Sequence, residues 1–220
     1  MKVAIIGASG KTGIKLVRES LKRGYQVVAV CRTSSAERLK GFADNDKCTV
    51  VTAPVVSNPD TLTKALTGCD AVVAILISVR RLKATELVRS LAKATVANGV
   101  KRLVFSAGEV TAVPEKDETL TFRQRIMLSI FSFITLFTPF SMTDMIKSSV
   151  MLRQQPDWNW TIVRAPTLTE EPGAGYRLCE INEVTAKHAV SREDYAACML
   201  DSLENPEHYR RTLTVVPAEG

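Results

Sequence analysis

Lys2-Val3-Ala4-Ile5-Ile6-Gly7-Ala8-Ser9-Gly10-Lys11-Thr12-Gly13 is a short apolar run, then a loop with three glycines, then the start of a helical pattern. The run has the β-branched content of a buried strand. The first glycine permits a sharp turn. The second lets backbone amides approach a ligand without an intervening Cβ. The third lets the following helix pack closely on the sheet. A helix opening at this point offers unpaired N–H groups and the positive end of its dipole to an anion. The spacing is GxxGxxG, and its place between strand and helix makes it a dinucleotide pyrophosphate site rather than a simple turn. Gly10-Lys11-Thr12 also resembles the end of a GxxxxGK[ST] loop. That pattern needs glycine at position 5, where this chain has Ile5, so a triphosphate loop is excluded.

Outward from this stretch, strand and helix patterns alternate. Strands are expected at Lys2–Ile6, 26–31, 49–52, 71–76 and 102–106, with helices at 13–23, 35–42, from Asn58-Pro59 onward, and at 83–97. Asn58 suits an N-cap and Pro59 the first turn, while Asn98-Gly99 closes the helix before the fifth strand. This alternation predicts an α/β fold, a doubly wound parallel sheet of the Rossmann type. The second half is less regular. Helices are expected at 122–137 and 143–155, strands at 160–163, 176–180 and 211–216, and a helix opening at Ser191-Arg192-Glu193-Asp194. The 220 residues suit one Rossmann domain spanning 1–220, with a small C-terminal region on the substrate side.

Composition narrows the function. The chain is 45% hydrophobic and carries a formal charge of +6, but its bases are scattered in pairs such as Lys22-Arg23 and Arg80-Arg81, without interleaved aromatics. Nucleic acid is therefore not an expected partner. Five scattered cysteines and two histidines have no metal-ligand spacing, so no metal site is expected. The opening apolar run stops at Ile6, which argues against a secretory leader and for a cytoplasmic location. The most hydrophobic stretch, 126–137, is shorter than the roughly 20 residues of a membrane span. It is read as a buried helix, with a lid or a dimer face as alternatives, and no membrane attachment is expected. Either a monomer or a homodimer is compatible with these features.

The end of the second strand decides between the two nicotinamide dinucleotides. An NAD site there usually has Asp or Glu for the ribose hydroxyl. Here Arg32 is followed by Thr33, Ser34 and Ser35, a guanidinium with hydroxyls that suits a 2′-phosphate. NADP (NADPH) is expected, with NAD the lesser fit.

With these residues, Leu103-Val104-Phe105-Ser106-Ala107-Gly108 and Trp160-Thr161-Ile162-Val163-Arg164-Ala165-Pro166, the chain resembles the atypical short-chain dehydrogenase/reductases of the NAD(P)H-binding, NmrA-like group. Flavin reductase/biliverdin-IXβ reductase is the nearest enzyme type. The resemblance spans nearly the whole chain, including Pro59-Asp60-Thr61-Leu62 and Ser191-Arg192-Glu193-Asp194. It implies that Gly7, Ser9, Gly10, Lys11 and Thr12, with Gly13 behind them, hold the phosphates. Arg32 and Ser35 would hold the 2′-phosphate, and Leu76 and Ile77 would line the cofactor. Ser106 would lie near the nicotinamide, and Pro166 and Thr167 would flank its carboxamide.

The chain departs from this group in two informative ways. Pro54-Val55 stands where Gly-Asp is common, which removes a polar contact to adenine. None of the four tyrosines (Tyr25, Tyr176, Tyr195, Tyr209) has lysine four residues on, so the usual Tyr-x-x-x-Lys acid pair is missing. Thr143 and Lys147 occupy the corresponding helix, but an aliphatic hydroxyl is a much poorer acid than a phenol. Two chemistries follow. A planar conjugated small-molecule acceptor of flavin, quinone or tetrapyrrole type takes hydride directly, its proton coming from water. Alternatively Lys147 or Ser106, with Thr143 nearby, donates a proton or polarises an acceptor oxygen; Ser106 can equally be a strand-end residue and Lys147 a solvated lysine. A non-catalytic NADP-sensing protein of the NmrA-like kind is the other class of function.

Overall fold

A computed structural model describes residues 1–75, 83–108, 141–184 and 189–218. β1 (Lys2–Ile6) leads through the glycine loop into α1 (Lys11–Lys22), which begins two residues earlier than its apolar pattern suggests. Its buried positions Gly13, Leu16, Val17 and Ser20 follow the i, i+3, i+4, i+7 spacing of one helix face. Gly24, at φ +80°, turns the chain into β2 (Gln26–Arg32). The short helix expected at 35–42 is a 3₁₀ segment, Thr33–Phe42, that starts two residues earlier. β3 (Cys48–Ala53) and α2 (Pro59–Ala65) follow. Asn58 accepts the Thr61 amide at 2.9 Å, as its sequence position indicates.

β4 (Ala71–Ala74) is shorter than the run 71–76; Leu76 lies outside the described residues. α3 (Ala84–Asn98) ends at Gly99 in the left-handed conformation, φ +67°. Next come β5 (Arg102–Gly108), α4 (Met142–Arg153), β6 (Asn159–Ala165), β7 (Thr167–Thr169), β8 (Tyr176–Cys179), β9 (Ala189–Ser191), α5 (Arg192–Glu204) and β10 (Arg211–Pro217). The apolar stretch 126–137 and His188 lie outside the described residues.

Eight of the described strands form one sheet in the order β3-β2-β1-β4-β5-β6-β10-β8. All its pairings are parallel except β10 with β8. The order reverses direction at β1, next to β4, and the glycine loop sits at that switch point, where doubly wound sheets bind ligands. Both faces are covered. Ala4 and Ile6 of β1 point into a core with Leu62, Leu87, Leu91, Leu152 and Trp160, from the side of α2, α3 and α4. Val3 and Ile5 point into the other core with Leu16, Val17, Tyr195 and Met199, from the side of α1 and α5. Strands buried on both faces read as continuous apolar runs, which is why they are visible in the sequence.

Trp158 and Trp160 both pack in the core on the side of α2 and α3. Trp158 is buried and its indole N–H donates to Thr95 Oγ1 at 3.0 Å. All five cysteines are buried, and none forms a disulfide. β7 and β9, absent from the sequence reading, form a separate two-stranded parallel sheet. Among the described residues no helix is long and apolar enough to cross a membrane.

Candidate dinucleotide site

The site lies along the C-terminal edge of the sheet. Gly7 takes φ +86°, and a Cβ there would run into the carbonyl oxygen of Ile75. A Cβ on Gly13 would strike the backbone of Gly7 and Ala8. These two positions therefore need glycine for space, the first also for its dihedral. The loop is pinned to β2, since the Gly7 and Ala8 amides both donate to Val30 O, at 3.0 and 3.1 Å. Gly10 donates to Gly7 O at 3.0 Å and forms the N-cap of α1 without any side-chain cap.

Lys11, Thr12 and Gly13 occupy the first turn of α1, where amides have no intrahelical acceptor. No acidic residue stands in that turn, whereas α2, α3, α4 and α5 carry Asp60, Glu86, Asp144 and the Glu193-Asp194 pair in theirs. The anion that α1 would receive is not provided from its own sequence. A tight loop with no room for a Cβ at Gly7 and Gly13, leading to open first-turn amides, fits a pyrophosphate.

At the end of β2, Arg32 is exposed and no described carboxylate pairs with it. Beside it, the Ser9 and Ser35 hydroxyls lie 2.8 Å apart in a buried contact, and Ser35 also donates to Arg32 O at 3.1 Å. This bridge fixes the start of the 3₁₀ segment against the glycine loop. Buried Cys31 touches the same corner; burial raises its thiol pKa and a Ser9 hydrogen bond partly offsets that, so it stays protonated at neutral pH.

Ser106 sits near the C-terminal end of β5, mostly buried, in register with Val163 of β6. Its neighbour from below is Tyr195 of α5, fully buried, whose hydroxyl donates to Val163 O at 2.9 Å. Burial pushes that phenol far above its ordinary pKa, against a hydrogen bond from Ser106. Pro166 links β6 to β7 at the same edge, and Thr167, the first residue of β7, is exposed. Leu76 and Ile77 lie outside the described residues.

Thr143 and Lys147 lie one turn apart on α4 and both face solvent. The residue between them that engages the fold is Asp144, whose role has no local signal in the sequence. Its carboxylate accepts the Ala84 amide at 2.6 Å and the Thr85 hydroxyl at 2.6 Å, capping α3 from a different helix. Asp144→Ala is expected to destabilise the chain by about 1–2 kcal/mol, as loss of a helix cap does, which urea denaturation will measure.

The other three tyrosines are also committed elsewhere. Tyr25 bonds Glu204, Tyr176 bonds Asp201, and the Tyr209 ring lies under the Arg102 guanidinium. Among the described residues no group of three or more His, Cys, Asp or Glu side chains could hold a metal ion.

A glycine loop of this geometry at the β1/β4 switch point defines a Rossmann-type dinucleotide-binding protein. The chain belongs to the NAD(P)H-binding family, whose model matches residues 7–206. It is similar to the protein YwnB of Bacillus subtilis, 26% identical over 231 aligned positions that cover 98% of each chain. Two solved structures share its fold. A short-chain dehydrogenase/reductase from Veillonella parvula in complex with NADP superposes with a TM-score of 0.76 at 19% identity, covering 99% of this chain and 95% of that one. ChuY, an anaerobillin reductase from Escherichia coli O157:H7, also reaches a TM-score of 0.76, at 14% identity, covering 100% of this chain and 98% of its own.

Proposed function

We propose that the chain is an NADPH-dependent reductase that delivers hydride to a planar conjugated acceptor of flavin, quinone or tetrapyrrole type, without a tyrosine acid. The observation that carries this reading is the placement of the four phenols: each hydroxyl or ring is engaged within the fold, and the threonine in the family's tyrosine position faces solvent. A carbonyl substrate needs an acid aimed at its oxygen as hydride arrives. A conjugated acceptor spreads the incoming charge over its ring system and takes its proton from water. The anaerobillin reductase with the same fold is consistent with such an acceptor.

A bound nicotinamide supplies the hydride. The chain's own residues bind and orient. The amides of Lys11, Thr12 and Gly13 receive the pyrophosphate, and Gly7, Gly10 and Ser9 shape the loop around it. Arg32, with Ser35, takes the additional phosphate on the adenosine ribose. Ser106, Pro166 and Thr167 stand at the edge where β5 and β6 end and set the nicotinamide end of the site.

Arg32→Ala is expected to weaken NADPH about tenfold or more while leaving NADH nearly unchanged, because a charge-assisted contact to phosphate is worth roughly 1.5–3 kcal/mol. Calorimetric titration of both dinucleotides checks this; equal losses for the two would remove Arg32 from the role. Turnover itself is tested by following NADPH absorbance with FMN, biliverdin and quinones, and reduction of one class is the expected outcome.

The exposure of both Thr143 and Lys147 also suits a second reading, a protein that binds NADP without turnover and reports its level to a protein partner. Tight NADPH binding with no turnover on any acceptor would favour it.

A further inference from the structure

The short β7–β9 sheet ends on two charged residues, Glu170 after β7 and Arg192 after β9. The Glu170 carboxylate meets Lys11 Nζ at 3.3 Å and Arg192 Nη1 at 3.1 Å. Lys11 is the first residue of α1, the same turn whose amides face the pyrophosphate site. A carboxylate from the far end of the chain thus neutralises the lysine of the glycine loop.

The surroundings show which of these contacts can exchange. Arg192 is mostly buried and also donates to Leu168 O at 3.0 Å, so its place beside Glu170 is fixed. The segment after Glu170 is fastened without Lys11: Ala174 and Gly175 amides donate to the Asp194 carboxylate at 2.9 and 3.2 Å. Lys15 Nζ holds Glu193 at 2.6 Å, and Glu193 accepts the Gly173 amide. Lys11, by contrast, has a side chain 73% exposed, and that of Glu170 is 54% exposed. The ammonium is a point charge on a flexible stem. It can leave Glu170 for a phosphate without moving any backbone, and Arg192 keeps the carboxylate paired when it does.

We propose that Glu170 sets dinucleotide affinity by competing with the ligand's phosphates for Lys11. This rests on the dinucleotide site described above and adds a residue that works against tight binding there. Each arriving anion meets a lysine already in use and a negative charge beside it. Each departing one leaves to a ready replacement partner, which favours exchange of spent for fresh cofactor.

The test is the dissociation constant of NADPH, measured by calorimetry at low and high ionic strength for the wild type, Glu170→Gln, Lys11→Gln and the double variant. Glu170→Gln keeps the shape and removes the charge. It is expected to tighten binding about threefold to fivefold at low salt, in keeping with the modest strength of exposed ion pairs. The gain is expected to shrink at high salt and to largely vanish in the Lys11→Gln background. An unchanged or weaker affinity in Glu170→Gln would overturn the proposal, as would an equal gain with and without Lys11. Absence of binding by the wild type to either NADPH or NADH would instead remove the dinucleotide reading, and this proposal with it.

Discussion

Gly7→Ala is expected to abolish dinucleotide binding and to cost the fold at least about 3 kcal/mol, whereas Gly24→Ala costs only about 1 kcal/mol and leaves binding intact. Both glycines have nearly the same positive φ, +86° and +80°, so both substitutions carry the strain of an L side chain in the left-handed region, about 1–2 kcal/mol. They differ in space. Nothing lies within 4 Å of a Cβ on Gly24, while one on Gly7 meets the Ile75 carbonyl. Ile75 cannot retreat easily, because its amide donates to Ile6 O at 2.9 Å and so closes the β1–β4 pairing beside the loop. The clash must be relieved by moving the glycine loop, which turns the first-turn amides of α1 away from a common focus. Urea denaturation and calorimetry of the two variants make the comparison. Equal costs at the two positions would show that the loop has slack, and the cradle would lose its physical basis.

Arg102→Met is expected to cost on the order of 3–5 kcal/mol and, unlike Gly7→Ala, to leave the NADPH dissociation constant of the folded protein unchanged. Arg102 opens β5 at the end of the sheet opposite the glycine loop and is buried. Its guanidinium donates to Leu203 O at 3.0 Å, to Leu103 O at 3.3 Å, to Thr161 Oγ1 at 2.7 Å, and to the carbonyls of Asn159 and Ser202. The Tyr209 ring covers it at 4.5 Å. Burial lowers its pKa to about 10, so it remains charged at neutral pH. It closes the C-terminal end of α5 onto the β5 and β6 starts. Methionine fills much of the volume but leaves several backbone oxygens without donors. Arg102→Lys is expected to recover only part, since an ammonium has three donors and no planar face to stack. A thermal unfolding midpoint within a degree or two of wild type for Arg102→Met would contradict this role.

Local signals carried much of the fold. β1, the glycine loop and α1 are adjacent in sequence, and their periodicities and glycines speak for themselves. Asn58-Pro59 and Gly99 mark helix ends by rules confined to a few residues. What escaped has the opposite character. β7 and β9 are three residues each, too short for an alternation to register. Glu170 and Lys11 are 159 positions apart, Asp144 and Thr85 are 59 apart, and nothing in either neighbourhood announces the pairing. The helix at 35–42 is visible in the sequence, but its 3₁₀ character is not, because so few turns do not separate a period of 3.0 from one of 3.6.

The site divides in the same way. Gly7 and Gly13 are legible because a strand–loop–helix junction calls for backbone with no room for a Cβ, and Arg32 stands out by its place at a strand end. The serine bridge between Ser9 and Ser35 was only half visible, as two hydroxyls expected near phosphate rather than as a contact with each other. Asp144 has no local signature, because the groups it caps, Ala84 N and Thr85 Oγ1, lie 60 and 59 positions earlier in the chain.

The most direct measurement is a crystal structure of the protein grown with NADP. The diphosphate bridge is expected within hydrogen-bonding distance of the main-chain N–H groups of Lys11, Thr12 and Gly13, with the ribose phosphate against Arg32. A fully occupied dinucleotide bound elsewhere, or an empty notch at saturating NADP, would contradict the account at its root.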